Sequence, residues 1–548
     1  MQAWARLDSL KGCFQGRKGT VWILAGILLL ALTLRVCPLE NLTRGSILAV
    51  EVLTMADAAS PFSHDITYDQ GPLKFYLLHA VLYLGRSEFL LALPALFFDL
   101  ASILLLFYLG TLLFDRKTAL LACFFMAVSV WHIHYASSAR NYPLYYFSVL
   151  ASTAFLYRAI KTSDMRDWIF FAVAAAFGFY SFLPSLFFLI AQICWFFIFY
   201  GRRGDLIKRL LISLGLFVAL VAPQAGRLSD AFEYNRDFGA ATFHIETWSL
   251  QGRRLWVALR DHLGGITGLY PLGIFIFVLS FVWIFYFQKK KAQSLLLWML
   301  VMMPICFYIF CNYAFRMSVA SRYFLFVYPF FLLTAAAGIA SFPYLAGRIA
   351  GTFVFLLPLC LYGFFQAGLI TRDSIPSDYL FFPESDAAAI ASLIEKNQDA
   401  LDFVVVKPRI DIFGVQYYLD KANRSPLVEA NGIFGKNYFM YTGSKILLLG
   451  SDGDLPLLKY LAAAGRLLVI DFSRGSEGDD ATFPWLRSNA SGMGRYRATD
   501  FYFLPPPRIS GDYKDSSAIA RRKLLLESRI VRRLIYPFNR KERTLLEN

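Results

Sequence analysis

The chain has 548 residues, 57% hydrophobic, 17% aromatic and only 17% charged. Soluble domains carry about a quarter charged residues, so this composition excludes a soluble enzyme on a single anchor and points to a polytopic membrane protein. The formal net charge of +15 does not point to nucleic acid, because the basic residues cluster between hydrophobic runs, as they do in cytoplasmic loops.

Val21–Val36 is the first apolar run, preceded by Arg6, Lys11, Arg17 and Lys18. No convincing small-residue cleavage site follows it, so it reads as a retained span that starts in the cytoplasm. Residues 37–72 are mixed and acidic, with Glu40, Glu51, Asp57, Asp65 and Asp69. Phe75–Leu84 is apolar but short, which suits a re-entrant or interfacial helix. The next runs are Phe89–Phe114, Ala119–Tyr135, Tyr142–Ala159, Trp168–Leu183 and Ser185–Tyr200. Leu206–Pro223, Thr267–Phe287, Ser294–Tyr313, Tyr323–Phe342 and Ile349–Ile370 complete a set of about eleven spans. The break at Ser181–Ser185 around Pro184 reads as a tight external turn. Within the spans, Asp99 stands out as a charge.

The loops divide by charge. Arg116/Lys117, Lys161/Arg166, Arg202/Arg203/Lys208/Arg209, Lys289/Lys290/Lys291 and Arg348 fall in alternate loops. The opposite short loops hold only Arg140, Arg316 and Arg322. The basic loops are therefore expected inside. Loops 37–88 and 224–266, and everything after Ile370, are expected outside. All six histidines fall on or near that side.

Beyond residue 370 the character changes. Ala387–Lys396 has helical spacing. Phe403–Val406, Lys445–Gly450 and Arg466–Phe472 have strand length, with helical Leu455–Ala464 between the last two. That order predicts a small extracytoplasmic α/β domain over 371–515, following a transmembrane domain over 1–370. Residues 516–548 form a basic tail, either an interfacial amphipathic helix or a solvated segment. Asp452/Asp454 and Asp479/Asp480 fit acidic turns better than metal ligands. The seven cysteines show no metal-ligand spacing, and none lies beyond Cys360.

Three clusters carry chemistry. The first is His64-Asp65-Ile66-Thr67-Tyr68-Asp69-Gln70-Gly71-Pro72-Leu73-Lys74, which gathers two carboxylates, an imidazole, a phenol and an ammonium. A carboxylate against an apolar wall gains proton affinity, as a general base requires. The second cluster runs from His132 through His134 to Arg140 and Tyr142, and the third is Arg316 with Ser321-Arg322-Tyr323. Arginine at a membrane surface either snorkels to headgroups or presents its planar fork to a phosphate, with Tyr adding a hydroxyl.

Gly85-Arg86-Ser87-Glu88-Phe89 through Arg158, including Leu109–Phe114 and His134–Tyr142, resembles the membrane glycosyltransferases of the GT-C fold. More narrowly it resembles the bacterial relatives of protein O-mannosyltransferases and aminoarabinose transferases. Asp69-Gln70-Gly71-Pro72-Leu73 is similar to that family's His-Pro-Pro-Leu stretch, and Ser321-Arg322-Tyr323 to its Arg-Tyr before a late span. The resemblance is good over residues 20–160, moderate to 370 and weak beyond. It implies a polyprenyl-phosphate-linked sugar donor, a lipid, glycan or protein acceptor, and an acidic base in the first outer loop. Where the family shows Asp-Glu, this chain reads Pro38-Leu39-Glu40-Asn41-Leu42. Asp69, Glu40 and Asp65 therefore compete for the base. Arg140, Tyr142, Arg322, Tyr323, Lys74 and His134 are the candidate phosphate site. The sequence specifies no cofactor, and a divalent cation is left open. A lipid-linked-sugar transporter or flippase and a glycan-assembly scaffold are the alternatives.

Overall fold

The computed structural model describes residues 18–42, 71–84, 88–136, 140–224, 291–315, 326–341 and parts of 344–352. In the C-terminal part it describes segments of 392–407, then 428–431, 437–441, 447–450, 455–471, 482–496 and 499–504. The chain divides into two compact units, with the helices preceding Phe381 in the first and the strands after Phe382 in the second.

The first unit is helical: α1 (Lys18–Leu42), α2 (Leu73–Leu82), α3 (Glu88–Leu113), α4 (Arg116–Val128), α5 (Val130–Ala136) and α6 (Tyr142–Thr162). It continues with α7 (Met165–Ser181), α8 (Ser185–Tyr200), α9 (Gly204–Val221), α10 (Lys291–Phe315) and α11 (Tyr328–Ala340). Among the described residues, three helices are by themselves long and apolar enough to cross a membrane, at Gly19–Val36, Phe89–Leu113 and Gly204–Gln224. Their outer faces carry large apolar side chains in the open, among them Trp22, Leu29, Phe97, Leu211 and Val218. Such faces suit lipid rather than water.

Helix α6 lies at the centre and is buried on nearly every side from Tyr142 to Ile160, as a helix packed all round must be. It packs on α3, α5, α7 and α8. Small and polar residues take part in those contacts beside aromatic ones such as Phe147 on Phe98 and Phe177. Gln192 Nε2 of α8 donates to Ser152 Oγ at 2.9 Å and to Thr153 Oγ1 at 2.8 Å on α6. Gly178 of α7 lies so close to Ser148 Oγ that a Cβ would approach it to 2.8 Å. Without a hydrophobic driving force between helices in lipid, close backbone approach and such bonds hold the bundle together.

Successive helices run up and down. Arg158 Nε donates to Asp167 at 3.1 Å, its Nη1 donates to Tyr108 Oη at 3.2 Å, and Gln293 donates to Tyr157 Oη at 2.9 Å. These bonds gather the ends of α3 and α6 and the starts of α7 and α10; we call this the Thr162 end. The other is the Ser181 end. Basic residues mark the Thr162 end: Lys161, Arg166, Arg202, Arg203, Lys208, Arg209 and Lys291 lie there.

Two expectations need correction. The single run Ala119–Tyr135 is two helices, broken at Ser129, whose extended backbone ends α4. The first loop does not begin at residue 37, because α1 continues helical to Leu42; Glu40 therefore rides on a helix. The Ser181–Ser185 turn forms where expected, with Phe182 extended and Ser185 N–H bonded to Phe182 O at 3.0 Å. Thr267–Phe287 and most of Ile349–Ile370 lie outside the described residues.

In the second unit the described strands form one seven-stranded sheet in the order β2-β3-β4-β1-β5-β7-β6. The strands are β1 (Phe403–Lys407), β2 (Val428–Asn431), β3 (Asn437–Tyr441), β4 (Leu447–Gly450), β5 (Leu467–Asp471), β6 (Gly492–Tyr496) and β7 (Thr499–Leu504). β4, β1 and β5 are parallel, with Phe403 opposite both Leu447 and Leu467. Antiparallel pairs flank them on both sides. The β4–β5 crossover is α12 (Leu455–Ala464), as a parallel connection requires. Leu458 and Leu461 of α12 and Leu486 of α13 (Thr482–Asn489) cover Phe403, Val405, Leu467, Val469, Tyr502 and Leu504. The apolar runs predicted β1, β4 and β5. The outer strands, such as Asn437–Tyr441, mix polar and apolar residues, so no apolar run marks them. The paired aspartates at 452/454 and 479/480, and residues 516–548, lie outside the described residues.

Candidate functional site

The Ser181 end collects parts of the first two clusters. Pro72, with φ fixed at −67°, starts α2, and its carbonyl accepts from Phe75 N–H at 3.0 Å and Tyr76 N–H at 3.2 Å. Gly71 is packed onto the end of α7. A Cβ there would lie 2.1 Å from Tyr180 O and 2.6 Å from Ser181 O. Asn141, at the start of α6, donates from Nδ2 to the same Ser181 O at 3.0 Å. One turn of backbone thus ties Gly71-Pro72-Leu73-Lys74 to Arg140-Asn141-Tyr142, although some 70 residues separate them in the chain.

The candidates occupy this end as follows. Lys74 is buried, 3% exposed, with Nζ 4.6 Å from the centroid of the Phe75 ring. Arg140 is half-buried at the entry to α6. Tyr142 is buried against Tyr135 at 4.6 Å and Phe182 at 6.4 Å between ring centroids. Tyr145 lies one turn deeper, 4.7 Å from Phe326, which follows Tyr323 by three residues. Glu40 sits in the last turn of α1 and His134 in α5, but their side chains are not among those described. Asp65, Asp69, Arg322 and Tyr323 lie outside the described residues.

Beneath these residues is a polar group that the sequence reading only half detected. Asp99 of α3 receives Arg35 Nε on one oxygen and Tyr146 Oη on the other. Arg35 Nη1 donates to Ala31 O at 3.1 Å and Ala127 O at 2.8 Å, and Nη2 donates to Met126 O at 3.2 Å. Met126 and Ala127 close α4, where the break at Ser129 releases carbonyls from helical bonding. A cation at a helix C-terminus also meets the favourable end of the dipole. His132 packs on Tyr146 at 5.1 Å and Tyr328 at 5.3 Å, and its Nδ1 lies 3.0 Å from Ser129 Oγ. Asp99 is therefore not the sole charge within the spans. Arg35, at the end of the first apolar run, is its partner, and opposite charges inside two spans are the signal that could have paired them. Among the described residues, no three His, Cys, Asp or Glu side chains group as metal ligands.

The family model for dolichyl-phosphate-mannose-protein mannosyltransferases matches residues 69–224, the segment that builds the Ser181 end. Among solved structures, ArnT from Cupriavidus metallidurans in the apo state aligns with a TM-score of 0.53 at 12% identity, covering 88% of this chain and 97% of that one. The fold is GT-C. The GT-C fold also relates this chain to the same ArnT bound to undecaprenyl phosphate, at TM-score 0.50 and 10% identity, covering 91% of this chain and all of that one. A GT-C oligosaccharyltransferase from Archaeoglobus fulgidus, tethered to an acceptor peptide, aligns at TM-score 0.50 and 11% identity over 73% of this chain. The chain spans 63% of the length of that oligosaccharyltransferase. No curated protein sequence matches. The chain is thus a helical membrane protein of GT-C fold that resembles the aminoarabinose transferase group.

Proposed function

We propose that this protein is an inverting glycosyltransferase that moves a sugar from a polyprenyl-phosphate donor to an acceptor hydroxyl. One observation carries the reading most directly: Gly71–Lys74 and Arg140–Tyr142, from separate clusters, meet on the Ser181 turn. The shared GT-C fold supports it, since one such relative binds undecaprenyl phosphate and another an acceptor peptide. The concentration of Lys and Arg at the Thr162 end supports a cytoplasmic position for that end. The Ser181 end then faces the extracytoplasmic side of the inner membrane, as does the second unit.

In this mechanism a carboxylate takes the proton of the acceptor hydroxyl as its oxygen attacks the anomeric carbon. The bond from that carbon to the donor phosphate oxygen breaks, and the configuration inverts. Asp69 is the favoured base, Glu40 its rival, and Asp65 orients either. Arg140 and Arg322 hold the departing phosphate through paired N–H donors, with Tyr142, Tyr323, Lys74 and His134 around it. Donors preset before the reaction stabilise the leaving charge without reorganisation.

A flippase would expose intramembrane charges to a polar path. Arg35 and Asp99 are instead sealed, each 0% exposed, and bonded to one another and to backbone carbonyls, which favours the enzyme.

The test is sugar transfer from a polyprenyl-phosphate donor by the full-length protein in detergent. Arg140→Lys and Arg322→Lys keep the charge and lose the fork, so donor affinity is expected to fall roughly tenfold in each. Transfer that is absent for every such donor sinks the reading. Unchanged apparent affinity in both variants reduces these arginines to membrane anchors.

A further inference from the structure

Helix α1 meets the bundle through one narrow seam. Among its described side chains, Leu24, Ile27, Ala31 and Arg35 are buried, while Trp22, Ile23, Leu29 and Leu32 are exposed. The first three offer apolar contact, which a lipid chain offers equally well, so they set neither the depth nor the rotation of the helix. Arg35 is different. Its guanidinium reaches Asp99 on α3 and the terminal carbonyls of α4 at Met126 and Ala127, and Asp99 is held in turn by Tyr146 on α6. These bonds exist in one register only. A shift of one residue moves the side chain about 1.5 Å along the axis and 100° around it, out of reach of its partners. Glu40 lies five residues beyond Arg35 on the same helix, so the clamp fixes where that carboxyl-bearing turn emerges.

We infer that Arg35, Asp99 and Tyr146 are positioning residues, a register clamp that sets the depth and rotation of α1 in the bundle, and with them the position of its Glu40-bearing last turn. The inference rests on the glycosyltransferase reading for its kinetic consequence but not for its structural one. Removing one charge strands the other in the bundle. The decisive variant is therefore the neutral triple Arg35→Met/Asp99→Leu/Tyr146→Phe, which keeps apolar volume and strands no charge.

Three measurements apply to the full-length protein in detergent: thermal midpoint, kcat and apparent donor KM, and the distance between spin labels at Leu39→Cys and Leu220→Cys in an otherwise cysteine-free background. A clamp predicts that the triple variant folds and keeps its donor KM. Its kcat falls about tenfold or more, as misplaced reacting groups demand, and the label distance broadens or shifts. Arg35→Lys still pairs with Asp99 but cannot fork to Met126 and Ala127 as well. It is expected to show a smaller loss of kcat and a smaller broadening. A folded triple variant with native kcat and a native, narrow distance overturns the clamp. If the triple variant does not fold, Arg35→Lys decides: native kcat and distance there overturn it too. A wild-type protein without transfer activity would sink the enzyme reading alone, because the distance measurement still judges the clamp.

Discussion

The two ends of the helical unit each hold an Arg–Asp pair, and they are built to different specifications. At the Thr162 end, Arg158 is 20% exposed and Asp167 4% exposed, and the pair joins adjacent helices whose short turn already brings them together. Toward the Ser181 end, Arg35 and Asp99 are both wholly buried and join α1 to α3 across 64 positions of sequence. The first pair decorates a contact that connectivity guarantees. The second joins two helices that no short connection brings together. An ion pair between helices is therefore informative when the chain between its members is long and the surroundings are apolar, and much less so when a turn would do the same work.

The largest expected effect separates the two ends by chemistry. Asp69→Asn should lower turnover by about 10²–10⁴-fold with donor binding intact, as loss of a general base does. Asp167→Asn should leave the turnover of folded protein unchanged. Glu40→Gln measured beside them decides between the rival bases; a fully active Asp69→Asn with an inactive Glu40→Gln moves the role to α1. If both remain active, neither acid is more catalytic than Asp167, and the contrast collapses.

The next effect concerns stability. Asp99→Asn strands the Arg35 charge and should cost about 3–5 kcal/mol, the range for breaking a buried pair. Asp167→Asn should cost about 1 kcal/mol or less, because its partner is partly solvated. Thermal unfolding in detergent compares them, and equal midpoints would show that burial does not distinguish the pairs.

The smallest effects lie in the backbone turns. Gly71→Ala drives a methyl into Tyr180 O and Ser181 O and should destabilise by about 1–3 kcal/mol, as overpacking does. At the other end Ser163 closes α6 with φ of 53°, and its carbonyl accepts from Arg209. A left-handed residue with a Cβ costs roughly 1–2 kcal/mol, so Ser163→Gly should raise the midpoint where Gly71→Ala lowers it. A Gly71→Ala protein as stable as the native one would mean that the Gly71–Ser181 contact does not hold the site together.

Much of the fold was legible in the chain because a bilayer leaves few choices. Backbone groups in lipid must bond within their own segment, so each apolar run of sufficient length becomes a helix, and loop charge sets the side on which it ends. That logic marked α3, α6, α7, α8 and α9 to within three residues at each end, and the turn at Pro184; beyond residue 370, short apolar runs of strand length marked the β4–α12–β5 crossover to within two. It also marked Gly71, Arg140 and Tyr142, because polar residues stand out against apolar runs. Only the tertiary structure decided that Gly71 and Asn141 share one carbonyl, that α4 stops at Ser129, and that Arg35 answers Asp99. The physical reason is that apolar helix faces are nearly interchangeable as neighbours. Leucine and phenylalanine state that a surface is buried or bathed in lipid, but not against which helix, and only bonds with fixed length and direction choose the partner.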